Sequence, residues 1–419
     1  MHSLTTRSSM RDCLSVSWPG WRSVAKAGSR LAPLGAMALL AVLVLTAALP
    51  AYAQTETVLH SFNADGTDGY NPYSGLTLDA AGNLYGTTLY SSSLSAPGGT
   101  VFKVAPDGTE TVLYNFAGAP DGSEPYYSGV VRDAAGNLYG TTIRGGTNDL
   151  GIVYKLAPDG TETVLYSFSP IHDGYYPYGG VVLGKKGTLY GTTSTGGTSG
   201  VGTVYKITRS HKTETETVLY NFAGQDDGCY PRQEDLIVAK DGSLYGTTVY
   251  CGPFGDYGTV FKVDPAGIKT VLHNFNADGV DGFNPYGGLV VDKAGNLYGT
   301  TYGGGKYGYG TVFKLSPSGN ETVLYSFNAD GTDGINPYGA VALGKKGNIY
   351  GTTYQGGTLG YGTVFKLSAS GTETVLHSFA NTDGAHPYAG VALDKSGALF
   401  GTTVNGGDFG YGVVFKIVP

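Results

Sequence analysis

The string Leu-Tyr-Gly-Thr-Thr, or a close variant, recurs along this chain, and no other feature limits its possible folds so strongly. The aromatic position falls at Tyr85, Tyr139, Tyr190, Tyr245, Tyr298, Tyr350 and Phe400, a period of about 52 residues. Self-similarity at such a period marks a repeat architecture, in which each unit covers the apolar faces of its neighbours.

One unit shows the content of all. Residues 288–292 (GLVVD) and 296–301 (NLYGTT) are apolar runs separated by a tight turn at 293–295. A glycine-rich loop leads to residues 310–315 (GTVFKL), then a turn at 316–319, then residues 321–327 (ETVLYSF). A longer loop carrying Asp-Gly and Pro-Tyr closes the unit. The runs are short, β-branched and aromatic, and bounded by Gly, Pro, Asn and Asp, so they read as strands. No segment after the leader sustains a helical period with caps, so almost no helix is expected.

Four short antiparallel strands per unit is the size of a propeller blade. The phase of the chain argues for a closed ring. The repeat region opens on a fourth-type strand at residues 56–62 and ends on a third-type strand at residues 412–417. In a ring, that opening strand completes the last blade and removes two exposed edges. The expectation is an all-β, seven-bladed β-propeller of 28 strands. It has four antiparallel strands per blade and is closed by the N-terminal outer strand, with residues 54–419 as one domain.

Residues 1–53 differ from the rest. Arg7, Arg11, Arg22, Lys26 and Arg30 precede an apolar run at residues 34–49, then Pro50 and an Ala-Tyr-Ala site at 51–53. This is the layout of a secretory signal peptide; an uncleaved anchor is the alternative, and Met10 is an alternative start. Losing those five basic residues and Asp12 takes the net charge from -7 to -11. That charge, with no basic tract outside the leader, argues against nucleic acid. The expected product is secreted, extracellular or periplasmic, with no membrane span in the mature chain, and a monomer.

The order G-L-x-x-D, G-N-L-Y, V-F-K-L-x-P-x-G is similar to the blade pattern of NHL-type and SMP-30-like propellers. The wording NLYGTT, GTVFKL and ETVLYSF resembles the GloVer tandem-repeat extracellular proteins of bacteria, over about residues 55–419. That resemblance implies a secreted or surface-attached protein with a variable anchor and no known activity. The chain departs from it in showing no apolar C-terminal tail.

Strand alternation puts the tight first-to-second and third-to-fourth turns at one end of the ring. The long loops, rich in Tyr, Asp and Gly, lie at the other, where binding usually sits. Tyrosine follows the loop proline at Tyr73, Tyr126, Tyr178, Tyr286, Tyr338 and Tyr388, and the loops after the second strands add Tyr257, Tyr309, Tyr361 and Tyr411. The first set could ring the channel mouth and stack on sugars or anchor a partner; the competing reading is that it wedges blades together. Asp65 and Asp68, Asp278 and Asp281, Asp330 and Asp333 read as turn residues. A weak calcium site is the alternative, without the bidentate glutamate of an EF-hand; no other cofactor is expected. The strand lysines (Lys103, Lys155, Lys206, Lys262, Lys314, Lys366, Lys416) and the glutamates that open six outer strands read as solvated edge charges; the fifth outer strand along the chain has Lys269 instead. His60, His273 and His377 fill a slot that is Tyr elsewhere and read as packing substitutions.

The fourth unit breaks the repeat. Where others read Pro-Tyr-Gly-Gly, it reads Pro231-Arg232-Gln233-Glu234-Asp235, so Arg232, Glu234 and Asp235 are candidates for a specific site. It also holds Cys229 and Cys251, on loops that emerge at one end of one blade from neighbouring strands. A disulfide is therefore expected, within the Cα separation that a bridge allows. No G-x-S-x-G, H-E-x-x-H, P-loop or dinucleotide fingerprint is present, and no catalytic residue is assigned. The reading that follows is a non-catalytic binding propeller for a glycan or a cell-surface protein. The alternatives are a polysaccharide-active hydrolase or lyase and a structural envelope component.

Overall fold

A computed structural model of the chain describes residues 55–91, 98–170, 173–209, 214–232 and 236–419. The leader at 1–53, Glu234 and Asp235 lie outside the described residues.

The repeat folds into seven four-stranded antiparallel sheets, the blades of a propeller. In blade 5 the strands are Val290–Val291, Leu297–Thr301, Thr311–Leu315 and Glu321–Ser326, in that order from inside to outside. Blade 7 consists of Ala392–Leu393, Leu399–Thr403 and Val413–Val418, with Thr55–Ser61 as its outer strand. That pairing runs from Thr55 opposite Val418 to Ser61 opposite Val413, so the ring closes as the phase of the repeat requires. The innermost strands are shorter than their apolar runs, two residues each.

The structure adds pairing that the repeat does not announce. The loop entering a blade and the loop after its second strand join in a two-residue ribbon, as at Gly282–Phe283 with Gly303–Gly304. Five blades have such a ribbon, and single bridges, Cys229 with Tyr250 and Ala385 with Asn405, take its place in blades 4 and 7. The long loops are thus tied down rather than free.

Each conserved-looking letter of the unit has a packing task. The glycine of LYGTT faces the aromatic of the third strand: Gly299 is opposite Phe313, and a Cβ there would lie 2.7 Å from the ring. That buried ring meets the phenylalanine ending the outer strand of the preceding blade, edge to face. Phe275–Phe313 and Phe379–Phe415 both have centroids 5.2 Å apart, and Phe62–Phe102 closes the circle at 5.1 Å. Such pairs add about 0.5–1.5 kcal/mol beyond area burial. The first threonine of LYGTT donates to the next blade: Thr300 Oγ1 to Gly339 O at 2.9 Å, Thr402 Oγ1 to Ser74 O at 2.9 Å. The second threonine bonds the third strand of its own blade, as Thr301 to Thr311 at 2.9 Å. The aspartate of GLVVD accepts from Asn296 N and Nδ2 and from the Tyr298 hydroxyl, which clasps the turn.

Two expectations need correction. The outer-strand glutamates are not solvated edge charges, and they do not pair with the strand lysines. Glu56, Glu110, Glu162, Glu216, Glu321 and Glu373 each bury Oε1 without a hydrogen-bond partner. Burial, and then an aspartate in the loop bound to the preceding blade, raises all six to about 7. Each glutamate thus lies against the neighbouring blade, close enough to its loop aspartate to feel that charge. His60, His273 and His377 are more than packing substitutions: each meets a loop carboxylate, His60 Nε2 lying 2.8 Å from Asp68 Oδ2. Where the slot is tyrosine, its hydroxyl donates to the same aspartate, as Tyr325 to Asp333 at 2.8 Å. Among the described residues no helix is long and apolar enough to cross a membrane.

Candidate functional site

The long-loop end of the ring is built by one turn repeated seven times. The residue before the loop proline adopts a left-handed conformation in every blade, for example Asn284 at φ 54° and His386 at φ 57°. Such a conformation is uncommon outside glycine and is held by neighbours: Asn284 N donates to Tyr257 O at 2.8 Å and its Nδ2 to Val249 O at 2.9 Å. The buried proline then packs over a glycine of the preceding blade. At Gly310, with φ 102°, a Cβ would lie 2.8 Å from Pro337 Cδ. This turn aims the next residue toward the axis.

The side chains so aimed form an annulus. Tyr73 stacks on Tyr126 at 4.6 Å and meets Tyr388 at 5.4 Å. Tyr388 stacks on Tyr338 at 4.3 Å, and Tyr338 meets Tyr286 at 5.0 Å. Tyr286 shares a hydroxyl–hydroxyl hydrogen bond of 2.6 Å with Tyr250, whose ring faces Tyr230. Arg232 closes the gap in blade 4, where tyrosine is missing. Its guanidinium lies 5.2 Å from the centre of the Tyr178 ring and 5.9 Å from that of Tyr230. Tyr178 in turn approaches Tyr126 at 6.2 Å. All six sequence-predicted tyrosines and Arg232 therefore come together, but as a ring of mutual contacts rather than separate platforms around an open mouth.

Sequence reasoning missed the second layer. Tyr127 is an extra residue: blade 2 carries one residue more than blade 1 between its loop proline and its inner strand, and Ser128 takes the place of Ser74, each accepting from the backbone N of the first threonine of LYGTT. Tyr127 stacks on Tyr388 at 4.9 Å and packs against Tyr126 at 4.0 Å. Its only signal was the Tyr126-Tyr127 doublet. Tyr302 and Tyr354 back Tyr338 from the loops after the second strands. Tyr309 and Tyr411, by contrast, stay exposed. Tyr127 also lines an axial cavity of about 360 Å³, whose walls are the inner strands with Gly75, Gly129, Leu289 and Val341 among them.

Burial raises the phenols of Tyr73, Tyr126, Tyr127, Tyr286 and Tyr338 above their usual range, so they stay neutral in ordinary conditions. The ring offers aromatic faces and hydroxyls, with one fixed positive charge at Arg232. Arg232 Nε is buried with no hydrogen-bond partner. Beside it lies a cleft of about 260 Å³ lined by Tyr90, Glu124, Tyr126, Tyr127, Tyr178 and Arg232. That is a little under the volume of typical small-molecule sites, and its walls are aromatic with two opposite charges at hand.

The other sequence candidates sit elsewhere. Cys229 and Cys251 are joined by a disulfide with Cα atoms 5.4 Å apart, clamping the loop bridge of blade 4. The loop aspartates act as turn residues: Asp330 Oδ1 accepts from Thr332 N and Asp333 N, while Asp333 Oδ2 accepts from Asn328 N and Tyr325. Among the described residues, the two groups of three metal-type side chains lie between blades at the outer strands, away from the annulus.

The sequence model of a family described as the Gloeobacter/Verrucomicrobia repeat matches residues 48–236 and again 230–419. No curated protein sequence matches the chain. Among solved structures, a Bacteroides fragilis protein described as a candidate 6-phosphogluconolactonase is similar over 80% of this chain and 98% of its own, at 15% identity and a TM-score of 0.50. A Xanthomonas campestris gluconolactonase matches over 87% of this chain and 89% of its own, at 14% identity and a TM-score of 0.43. The first of these likenesses speaks to the propeller architecture alone.

Proposed function

This chain belongs to the Gloeobacter/Verrucomicrobia repeat family, and on that premise we propose that it is an exported, non-catalytic binding propeller whose ligand is a glycan. The observation that carries the reading is Arg232. It takes the tyrosine position in one blade of seven, and it borders a cleft whose walls include Tyr126, Tyr127 and Tyr178. Aromatic faces stack on the apolar faces of sugar rings, and fixed polar groups beside them choose among sugars. The annulus then divides by task. Tyr286, Tyr338 and Tyr388, packed on one another, close the ring; Tyr126, Tyr127 and Tyr178, with Arg232, face the ligand. The leader pattern and the disulfide support export to an oxidising compartment.

A glycan array probed with the wild-type protein and with Arg232→Ala tests this. The reading predicts a set of bound glycans that the variant loses. An array silent for both proteins removes it. Turnover of an oligosaccharide by the wild-type protein would replace it with the hydrolase or lyase reading.

A further inference from the structure

The seven blade boundaries share one outer-strand arrangement with three chemical versions. The outer strand of the earlier blade supplies His or Tyr, the loop after it supplies Asp, and the outer strand of the later blade supplies Glu. At the boundary of blades 3 and 4 the glutamate is replaced by Lys269. Its Nζ lies 2.7 Å from Asp227 Oδ1, with the side chain 2% exposed. There the protein places its own cation beside the loop aspartate. At the other six boundaries, among the described residues, the carboxylates face one another without such a cation, and at two of these an imidazole completes a group of three ligand atoms.

Between blades 7 and 1, His60, Asp68 and Glu110 bring one ligand atom each within 4.8 Å of one another. Between blades 6 and 7, His377, Asp383 and Glu56 do the same. The Asp68 side chain is 4% exposed, and its Oδ1 has no hydrogen-bond partner. Oε1 of Glu110 and Oε1 of Glu56 are likewise buried without partners. A buried acceptor left without a donor is costly unless something satisfies it. The third boundary of this type, His273, Asp281 and Glu321, differs: the Asn276 side-chain amide already donates to Asp281 Oδ2. The four boundaries with Tyr114, Tyr166, Tyr220 and Tyr325 lack a nitrogen ligand.

We propose that His60–Asp68–Glu110 and His377–Asp383–Glu56 each bind one divalent transition-metal ion, bridging neighbouring blades. One imidazole with two carboxylates suits zinc-like ions. It is too few oxygens for calcium, and magnesium demands an octahedral oxygen shell. The ion takes the place of the His–Asp hydrogen bond, with neutral imidazole Nε2 as ligand, and satisfies the orphaned carboxylate oxygens. Both sites flank blade 7, the blade assembled from the two ends of the repeat region, so metal would fasten the ring at its closure.

The test uses the whole protein, stripped with a chelator, incubated with Zn²⁺ and separated from free metal. Bound zinc is measured by plasma emission, and thermal unfolding is followed with and without Zn²⁺ or Mg²⁺. The expected result is one zinc per cluster and a higher melting temperature with Zn²⁺ but not Mg²⁺. The double variant His60→Tyr, His377→Tyr should lose both effects. Its metal-free melting temperature should stay near wild type, because tyrosine is the native residue at this slot in four other blades. No retained zinc, or equal zinc retained by the double variant, would overturn the proposal.

Discussion

Arg232 and Lys269 are two cations in the same blade, and their surroundings give opposite expectations for substitution. Arg232 lies over two tyrosine rings at the edge of a cleft, partly open to solvent. Arg232→Ala should therefore cost no more than about 1 kcal/mol of stability while removing ligand binding. Lys269 is enclosed by Tyr220, Phe222 and Phe261 and paired with Asp227. Burial lowers its pKa against the opposing pull of Asp227. Lys269→Ala removes the cation beside that carboxylate, leaving it the hydrogen bonds from the Tyr220 hydroxyl and Ala223 N, and chemical denaturation should report a loss of about 3 kcal/mol. The sequence singled out both residues because each breaks the repeat. It could not show that one is a surface stacker and the other a buried ion. Asp227 lies 42 residues before Lys269, across a blade boundary that no local pattern reaches.

At the scale of strands and loops, alternation and turn residues were enough to place the second, third and outer strands of every blade. They overstated the inner strands, which keep only two paired residues each where they line the axial cavity. They also missed the slip in register within each outer strand, such as that between Val312 and Phe313 opposite Tyr325 and Val323. A bulge moves one residue out of alternation, and alternation alone did not show that each glutamate buries Oε1 against the neighbouring blade. The consequence of that burial is pH dependence. Glu162, Glu216 and Glu373 have folded pKa values near 7 through burial first and a facing aspartate second. Their unfolded values are lower, so the stability they contribute is full in mild acid and is lost as pH rises through about 7. The melting temperature should fall between pH 5 and pH 8. The triple variant with Gln at these positions should flatten that slope and melt higher than wild type at pH 8; solvent exposure keeps the effect below its unit-for-unit value. The disulfide makes a separate prediction. It closes a loop of 22 residues, so reduction should cost about 3 kcal/mol and loosen the blade 4 loop that carries Arg232. Hydrogen exchange should rise there first.

For the whole molecule, seven copies of one constraint made the ring legible, and the mid-unit start and stop of the repeat showed how it closes. Removing residues 55–61 should strip Val413–Val418 of its partner and leave an edge strand open to other chains. Size-exclusion chromatography should then show aggregation, or calorimetry a lower melting temperature. The site was less legible than the ring for a geometric reason. Which tyrosine meets which depends on ring curvature and on Tyr127, a residue that occurs once and reaches from blade 2 to Tyr388 of blade 7. A repeated letter also serves closure and binding alike until its neighbours are known. The division of the annulus into a closing half and a ligand-facing half is thus the claim on which the functional account turns. Calorimetric titration of the best glycan from the array, against wild type, Tyr178→Ala and Tyr286→Ala, tests it most directly. The account predicts that Tyr178→Ala loses binding while keeping its melting temperature. It predicts that Tyr286→Ala loses about 2–3 kcal/mol of stability yet binds as wild type below its melting point. Binding indifferent to Tyr178, or lost equally in both variants, would contradict it.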